Sequence, residues 1–132
     1  MKIRRITEEE PNLVRELRLA ALQDAPDSFA DSLEQTENKP FEYWIDLTKS
    51  LCDEHIMFII EEDGVAVGSV YGLRDQRNRT TGRVAGMWVS SSFRRKGFGK
   101  ALLLEVIKWA NSCGLTEIRL WAPAENSAVI KF

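Results

Sequence analysis

The strongest constraint on the fold is a strand, a cationic glycine-rich loop and an apolar helix that follow one another in the second half of the sequence. The strand reads "RVAGMWVS", the loop reads "SSFRRKGFGK", and the helix continues through "ALLLEVIKWANS" to a stop at Gly114. A further strand, "TEIRLWA", comes directly afterwards, with Ile118 and Leu120 on one face. Such a strand–helix–strand unit predicts two parallel strands joined by a right-handed crossover.

The first half of the sequence supplies the other strands of a mixed sheet. The segment "MKIRRIT" alternates apolar and cationic residues as a short strand does, and two helical segments follow, the second opening at Pro40. Two β-rich runs then meet at Asp63 and Gly64, which is a strong hairpin signal. The predicted order is therefore β-α-α-β-β-β-α-β. We expect residues 1–132 to form one mixed α/β (α+β) domain, with a central twisted mixed sheet flanked by helices.

The composition excludes several classes of protein. Apolar residues make up 44% and charged residues 29% of the 132 residues, which is ordinary for a globular chain. No apolar run approaches the roughly 20 residues that span a bilayer, and no secretory signal follows the first residues. Cys52 and Cys113 lack the spacing of a metal site, so we expect reduced thiols, no bound metal and a cytoplasmic location.

The charges divide unevenly along the chain. Residues 1–63 carry 7 Lys and Arg against 16 Asp and Glu, whereas residues 64–132 carry 11 against 4. This asymmetry indicates that the second half binds an anion. The acidic half is more simply explained as a solvated face.

The glycine-rich loop is where that anion is expected to bind. A helix N-terminus leaves backbone N–H groups without partners and carries a partial positive charge. Gly97 and Gly99 have no side chains to obstruct a ligand that approaches this backbone. The neighbouring cations that can add charge-assisted bonds are Arg94, Arg95, Lys96 and Lys100. Together these features predict a phosphate or pyrophosphate site.

Two common nucleotide-binding motifs do not fit this loop. A P-loop requires a Ser or Thr directly after its lysine, but Lys100 is followed by Ala101. A dinucleotide-binding fingerprint requires a third Gly or Ala where this sequence has Leu102. The ligand is therefore a phosphate compound of another kind.

The loop resembles the pyrophosphate loop of the GNAT superfamily of acyl-CoA-dependent N-acetyltransferases. That loop reads [RQ]-x-x-G-x-[GA], and residues 94–99 fit every position. The similarity extends through "GMWVSSSFRRKGFGKALLLEVIKWA" to "IRLWAPAENSAVIKF", which resembles the next strand and the start of a following helix. The resemblance implies acetyl-CoA as co-substrate and a primary amine as acceptor, with direct attack of the amine in a ternary complex.

The resemblance also assigns cofactor contacts residue by residue. Backbone groups of Met87, Trp88 and Val89 are expected to bind the pantetheine arm, with the Val89 N–H as the oxyanion donor. The pyrophosphate contacts are expected from Arg94, Arg95, Lys96, Gly97, Phe98, Gly99 and Lys100. Asn126 matches a cofactor-contacting Asn of the family, although a helix cap or turn explains it equally well.

The acid and base of the reaction are harder to assign. Many relatives carry a carboxylate in the strand that matches "RVAGMWV", and this strand contains none. The other candidates are each more simply explained as an ordinary surface group. They are Glu61, Glu62, Asp24, Asp27 and His55. The general base therefore stays unassigned.

The family usually places an acidic Tyr directly after the position of Phe132, followed by further strands that are absent here. We interpret the sequence as part of a longer chain. Without those strands, an exposed sheet edge would favour a homodimer.

Two other functions stay open at this stage. A non-catalytic acyl-CoA-binding module would need neither the Tyr nor a base. The basic segments "RDQRNR" and "FRRKGFGK" also permit a nucleic-acid-binding domain, although a pI near 5.5 argues against it. For an enzyme, the acidic first half favours a cationic acceptor such as a polyamine, an aminoglycoside or a protein amine. No membrane partner is expected.

Overall fold

The computed structural model describes residues 1–24, 32–120 and 128–131, which form a six-stranded mixed sheet with helices against both faces. The strands are β1 (Lys2–Arg5), β2 (His55–Glu62), β3 (Val65–Arg74), β4 (Thr81–Val89), β5 (Glu117–Leu120) and β6 (Ala128–Lys131). The helices are α1 (Pro11–Asp24), α2 (Leu33–Glu37), α3 (Phe41–Lys49) and α4 (Phe98–Ser112). Within the described residues, no helix is long and apolar enough to cross a membrane.

The strands lie side by side in their sequence order. Strands β4 and β5 are parallel, whereas every other neighbouring pair is antiparallel. The parallel pair is the one that α4 connects, as the strand–helix–strand pattern predicted. The mixed α/β fold class is confirmed.

The hairpin of β2 and β3 forms the centre of the sheet. Asp63 and Gly64 have φ values of 53° and 80°, the left-handed geometry that a tight two-residue hairpin requires. Because the sheet is covered on both faces here, β2 is apolar on both sides rather than alternating. Ile59 and Ile60, which are neighbours in the chain, are therefore both fully buried.

Helices cover the sheet from two sides and define two apolar clusters. On one side, the stripe of Leu102, Val106 and Trp109 from α4 packs on the sheet. On the other side, α1 and α3 contribute Leu17 and Trp44. We refer to these two surfaces as the α4 face and the α1 face.

The ends of the helices have local causes. Helix α4 stops where predicted, because Gly114 has φ 78° and the Leu115 N–H donates to the Ala110 carbonyl at 3.0 Å. Helix α1 begins at Pro11. Proline suits the first helical position because its missing N–H would have had no partner there.

Two features of the described chain differ from the prediction. Helix α2 was not predicted, although Ser32 caps it by accepting a hydrogen bond from Gln35 N at 3.1 Å. The expected helix start near the C-terminus was wrong for residues 128–131, which form β6. This segment pairs with the edge of β5 that we expected to be open, and the pairing satisfies backbone groups along that edge.

Candidate functional site

A bulge near the end of β4 shapes one wall of the candidate site. Ser69 lies opposite Trp88, but Tyr71 lies opposite Ala85, so β4 contains an extra residue at this point. Gly86 lies in the bulge with φ 60°, and a Cβ atom there would lie 2.9 Å from the Tyr71 ring. The site therefore requires glycine at this position. Bulges of this kind are common beside active sites because they change the direction of a strand.

After the bulge, one edge of β4 has no strand beside it. Strands β4 and β5 pair from Thr81 to Val84, and no strand partner on the β5 side is described for residues 85–89. The Ser90 N–H donates to the Val67 carbonyl at 2.8 Å, across to β3. Since successive backbone groups alternate in direction along a strand, the N–H and C=O of Val89 are directed to the opposite side. The Val89 N–H is the group that we predicted as the oxyanion donor, and this assignment stays a prediction.

The glycine-rich loop connects β4 to the N-terminus of α4. Its left-handed residues are Arg95, with φ 63°, and Gly97, with φ 84°. The first hydrogen bond of α4 runs from Ala101 N to Gly97 O at 3.0 Å. The N–H groups of residues 98–100 precede it and lie outside the helical ladder.

Both glycines of the loop leave room above the backbone. A Cβ atom at Gly97 would have no atom within 4 Å, and one at Gly99 would meet only Val89 at 3.9 Å. An anion can therefore approach these N–H groups without displacing protein atoms. The residues present fit the pyrophosphate of the expected co-substrate.

Three of the four predicted cations extend from this loop. Arg95, Lys96 and Lys100 are exposed. The Lys96 ammonium lies 5.3 Å from the Phe93 ring centroid, and Phe93 stacks on Phe98 at 5.6 Å, which fixes the loop against α4. These cations add positive charge around the open glycines.

The fourth cation, Arg94, folds back instead. Its Nε–H donates to the Val89 carbonyl at 3.1 Å, and a terminal guanidinium nitrogen donates to the carboxylate of Asp24. The same carboxylate oxygen accepts a hydrogen bond from Trp88 Nε1 at 3.1 Å. Asp24 thus joins the end of α1 to β4 and to the loop. Whether Arg94 also binds phosphate stays a prediction.

The other candidate bases lie elsewhere or outside the described residues. Glu61 pairs with Arg4 at 2.9 Å and Glu62 pairs with the N-terminus at 3.3 Å, both on the β2 side of the sheet. His55 is half-buried, and burial, followed by the charge of Arg83, lowers its pKa. Asp27, Asn126 and Phe132 lie outside the described residues.

The family follows from comparison with known proteins. A profile described as the acetyltransferase (GNAT) family matches residues 16–132, which is most of the chain. The chain belongs to the GNAT family. An uncharacterized N-acetyltransferase of Methanocaldococcus jannaschii is 30% identical to this GNAT protein over 84 residues, covering 61% of this chain and 37% of that protein. The chain therefore matches little more than a third of the length of this curated relative.

Solved structures share the fold of this GNAT protein. An aminoglycoside acetyltransferase from an uncultured soil metagenomic sample has a TM-score of 0.74 at 22% identity, covering 96% of this chain and 82% of that one. The yncA protein of Salmonella typhimurium, solved with its cofactor acetyl-CoA, has a TM-score of 0.74 at 18% identity, covering 96% and 72%. At these identities the similarity establishes the fold.

Proposed function

We propose that this GNAT protein transfers the acetyl group of acetyl-CoA to a primary amine by direct attack. The observation that carries the proposal is the open backbone at Gly97 and Gly99, which follows a β4 edge where the Val89 N–H has no strand partner among the described residues. Such an arrangement can bind one extended ligand at two points. Its anionic group would bind at the N-terminus of α4, and its thioester would lie beside β4.

The co-substrate contacts follow from this arrangement. N–H groups of residues 95–100 bind the pyrophosphate, and Arg95, Lys96 and Lys100 add charge-assisted hydrogen bonds. Backbone groups of Met87 and Val89 bind the pantetheine arm as an added strand would, whereas those of Trp88, one position before Val89, face β3. Asn126 is retained as a further contact on the strength of the family resemblance alone.

The reaction requires few groups from the protein. The lone pair of the amine attacks the thioester carbonyl carbon, so that a C–N bond forms while the C–S bond breaks. The Val89 N–H donates a hydrogen bond to the carbonyl oxygen as negative charge develops there. The nitrogen releases one proton as it becomes an amide, and the sulfur, which leaves as a thiolate, takes up a proton to give the free thiol. A thiol with a pKa of about 8.5 is mostly protonated at neutral pH, so this step is undemanding.

The amine must lose a proton before it attacks. An amine with a pKa of about 10.4 is neutral only about 0.04% of the time at pH 7. Among the described residues we assign no general base, and water can carry this proton to bulk solvent. Activity should therefore rise with pH towards the pKa of the acceptor amine. A cytoplasmic location and a homodimer also stay predictions.

Thiol release tests the proposal directly. The protein is incubated with acetyl-CoA and a panel of amines, and free CoA is measured with a thiol reagent. Release that depends on one amine and yields its N-acetyl product by mass spectrometry supports the proposal. If acetyl-CoA binds but no amine is acetylated, the protein is a non-catalytic acyl-CoA-binding module and the proposal is wrong.

A further inference from the structure

The carboxylate of Asp24 lies close to the backbone of Val89, where the thioester is expected. The Arg94 guanidinium bridges the two residues, because its Nε–H donates to the Val89 carbonyl at 3.1 Å and a terminal nitrogen donates to Oδ2 of Asp24. Trp88, which packs on the α1 face, donates to the same carboxylate oxygen at 3.1 Å. Asp24 is therefore separated from Val89 by the width of one guanidinium group.

The carboxylate lies near the predicted oxyanion donor. The N–H and the C=O of one strand residue are directed to the same side, so the guanidinium on the Val89 carbonyl lies next to the Val89 N–H. A thioester oxygen that accepts a hydrogen bond from this N–H would be about 2.9 Å from the nitrogen. An amine held at Asp24 is therefore close to the thioester carbon, and it does not have to span a length of strand.

One oxygen of this carboxylate is available to a ligand. Among the described residues, both hydrogen bonds to the Asp24 side chain end on Oδ2, and none is found on Oδ1. A carboxylate has about four lone-pair sites, so Oδ1 can accept further hydrogen bonds. The side chain is 28% exposed, which leaves it open to a molecule that arrives from solvent.

The electrostatics at Oδ1 favour a cation although Arg94 is paired with this carboxylate. The ion pair has no net charge, and Trp88 contributes a neutral donor. Asp24 is the last residue of α1, and the C-terminal end of a helix carries a partial negative charge. The other cations of the loop are assigned to the pyrophosphate, whose charge offsets theirs. An ammonium group would therefore be stabilised at Oδ1, whereas an anionic group would not.

The other acids that we considered as bases, where the structure describes them, are paired elsewhere. Glu61 contacts Arg4, and Glu62 contacts the N-terminal ammonium. Strand β4 itself contains no Asp or Glu. Within the described part of the chain, Asp24 is the carboxylate that hydrogen-bonds to residues 85–89.

We infer that Asp24 binds the acceptor, and that this acceptor is an alkylamine whose net charge in solution is positive. The inference rests on the proposed function and narrows it to a class of acceptor. Oδ1 accepts a hydrogen bond from the ammonium group. The nitrogen then loses one proton to water, keeps a second N–H on Oδ1, and attacks the thioester carbon with its lone pair. The carboxylate stabilises the positive charge that develops on the nitrogen in that step.

Binding to the CoA complex tests the inference without turnover. Butylamine and 1,4-diaminobutane are titrated calorimetrically at neutral pH into protein saturated with CoA, which cannot react. The alcohols 1-butanol and 1,4-butanediol are the neutral isosteres. We expect saturable binding of at least one amine and of neither alcohol. Asp24→Asn should weaken the amine binding at least about tenfold, because a charge-assisted hydrogen bond is lost.

Arg94→Gln distinguishes a direct contact from an effect that acts through the loop. It removes the same ion pair as Asp24→Asn but keeps the carboxylate, so amine binding should be retained or become tighter. Asp46→Asn, which changes an exposed acid on α3, is the control for the loss of a negative charge and should change nothing. Equal weakening in Asp24→Asn and Arg94→Gln would overturn the inference. Undiminished binding in Asp24→Asn, or no binding of either amine to the wild type, would do the same.

Turnover distinguishes a failure of the inference from a failure of the proposed function. With acetyl-CoA saturating each variant, kcat/KM for the amine should fall at least about tenfold in Asp24→Asn and stay unchanged in Asp46→Asn. An unchanged kcat/KM in Asp24→Asn, or faster acetylation of zwitterionic 4-aminobutyrate than of butylamine, would overturn the inference while the proposed function stands. Amine binding that depends on Asp24 but leads to no acetylation would support the inference and contradict the proposed function.

Discussion

Gly97 illustrates how one residue can serve both the backbone and the ligand. Its φ of 84° is strained for any residue with a Cβ, while the space above it is open. Gly64, at the β2–β3 turn, has φ 80° and equally open surroundings, but no predicted ligand. Substitutions at these two glycines therefore distinguish a loss of stability caused by backbone strain from a loss of acetyl-CoA affinity.

We predict that Gly97→Ala and Gly64→Ala each lower the free energy of unfolding by about 1–2 kcal/mol, because both force alanine into the left-handed region. Only Gly97→Ala should weaken acetyl-CoA binding, since the loop N–H groups then lose their alignment. Denaturant unfolding and calorimetric titration measure the two effects. Equal acetyl-CoA affinities in the two variants would contradict the assignment of the loop.

Asp24 shows what sequence reasoning at the residue scale could not reach. It was considered only as a candidate base, yet its carboxylate connects Trp88 and Arg94. These partners are 64 and 70 positions away in the sequence. No local pattern encodes a contact of that range, so only the folded chain reveals it.

We predict that Asp24→Asn raises the Kd for acetyl-CoA by about three- to tenfold, because it removes the charge that holds Arg94 against β4. The amide can still accept a hydrogen bond from Trp88, so the fold should be retained. Asp46→Asn changes an exposed acid on α3 and is the matched control. Unaltered affinity in Asp24→Asn would show that this contact does not organise the loop.

At the scale of elements, most of the fold could be predicted because its signals are local. Asp63 and Gly64 specify a turn, Gly114 specifies a helix end, and the apolar period of α4 specifies its buried face. The α2 helix was missed because five residues give too short a pattern, although the spacing of Ser32 and Gln35 was an available capping signal. Strand β6 was missed because the family resemblance suggested the start of a helix there, although Val129 and Ile130 are β-branched residues that favour a strand.

The carboxylate of Glu10, just before α1, binds Arg4 of β1, which in turn contacts β2. Glu10 accepts hydrogen bonds from the guanidinium of Arg4 at 2.7 and 2.8 Å and from the Thr7 N–H at 3.0 Å, and Arg4 also contacts Glu61. The hydrogen bond from Arg4 is the main cause that lowers the pKa of Glu10 to about 2. The interaction therefore stabilises the folded chain only while Glu10 is ionised.

The resulting pH dependence has a definite sign. The stabilisation should be fully present above about pH 4.5 and be lost as the pH falls towards 2, since the unfolded state binds the proton first. We expect a loss on the order of 1–2 kcal/mol after solvent screening, measured by denaturant unfolding across this range. Glu10→Gln should abolish this part of the pH dependence. Glu8→Gln changes an exposed residue close to Glu10 in the sequence and is the control, since it should keep this part of the pH dependence.

At the scale of the whole molecule, the candidate site combines parts that could be recognised in the sequence with parts that could not. The loop of residues 94–100 is continuous, so its glycines and cations could be recognised together. The contact of Asp24 with Trp88 and Arg94 is not continuous in the sequence, because it combines α1, β4 and the loop. The charge of each half of the chain therefore indicated the loop of residues 94–100 but could not indicate this contact.

The most direct test of the account is a calorimetric titration of acetyl-CoA into the wild-type protein, Gly97→Glu and Gly64→Glu. The account predicts saturable binding to the wild type and to Gly64→Glu, and loss of binding in Gly97→Glu, which places a carboxylate where the pyrophosphate should bind. Circular dichroism confirms that each variant is folded. Absence of binding to the wild type, or undiminished binding to folded Gly97→Glu, would contradict the assignment of this loop as the cofactor site.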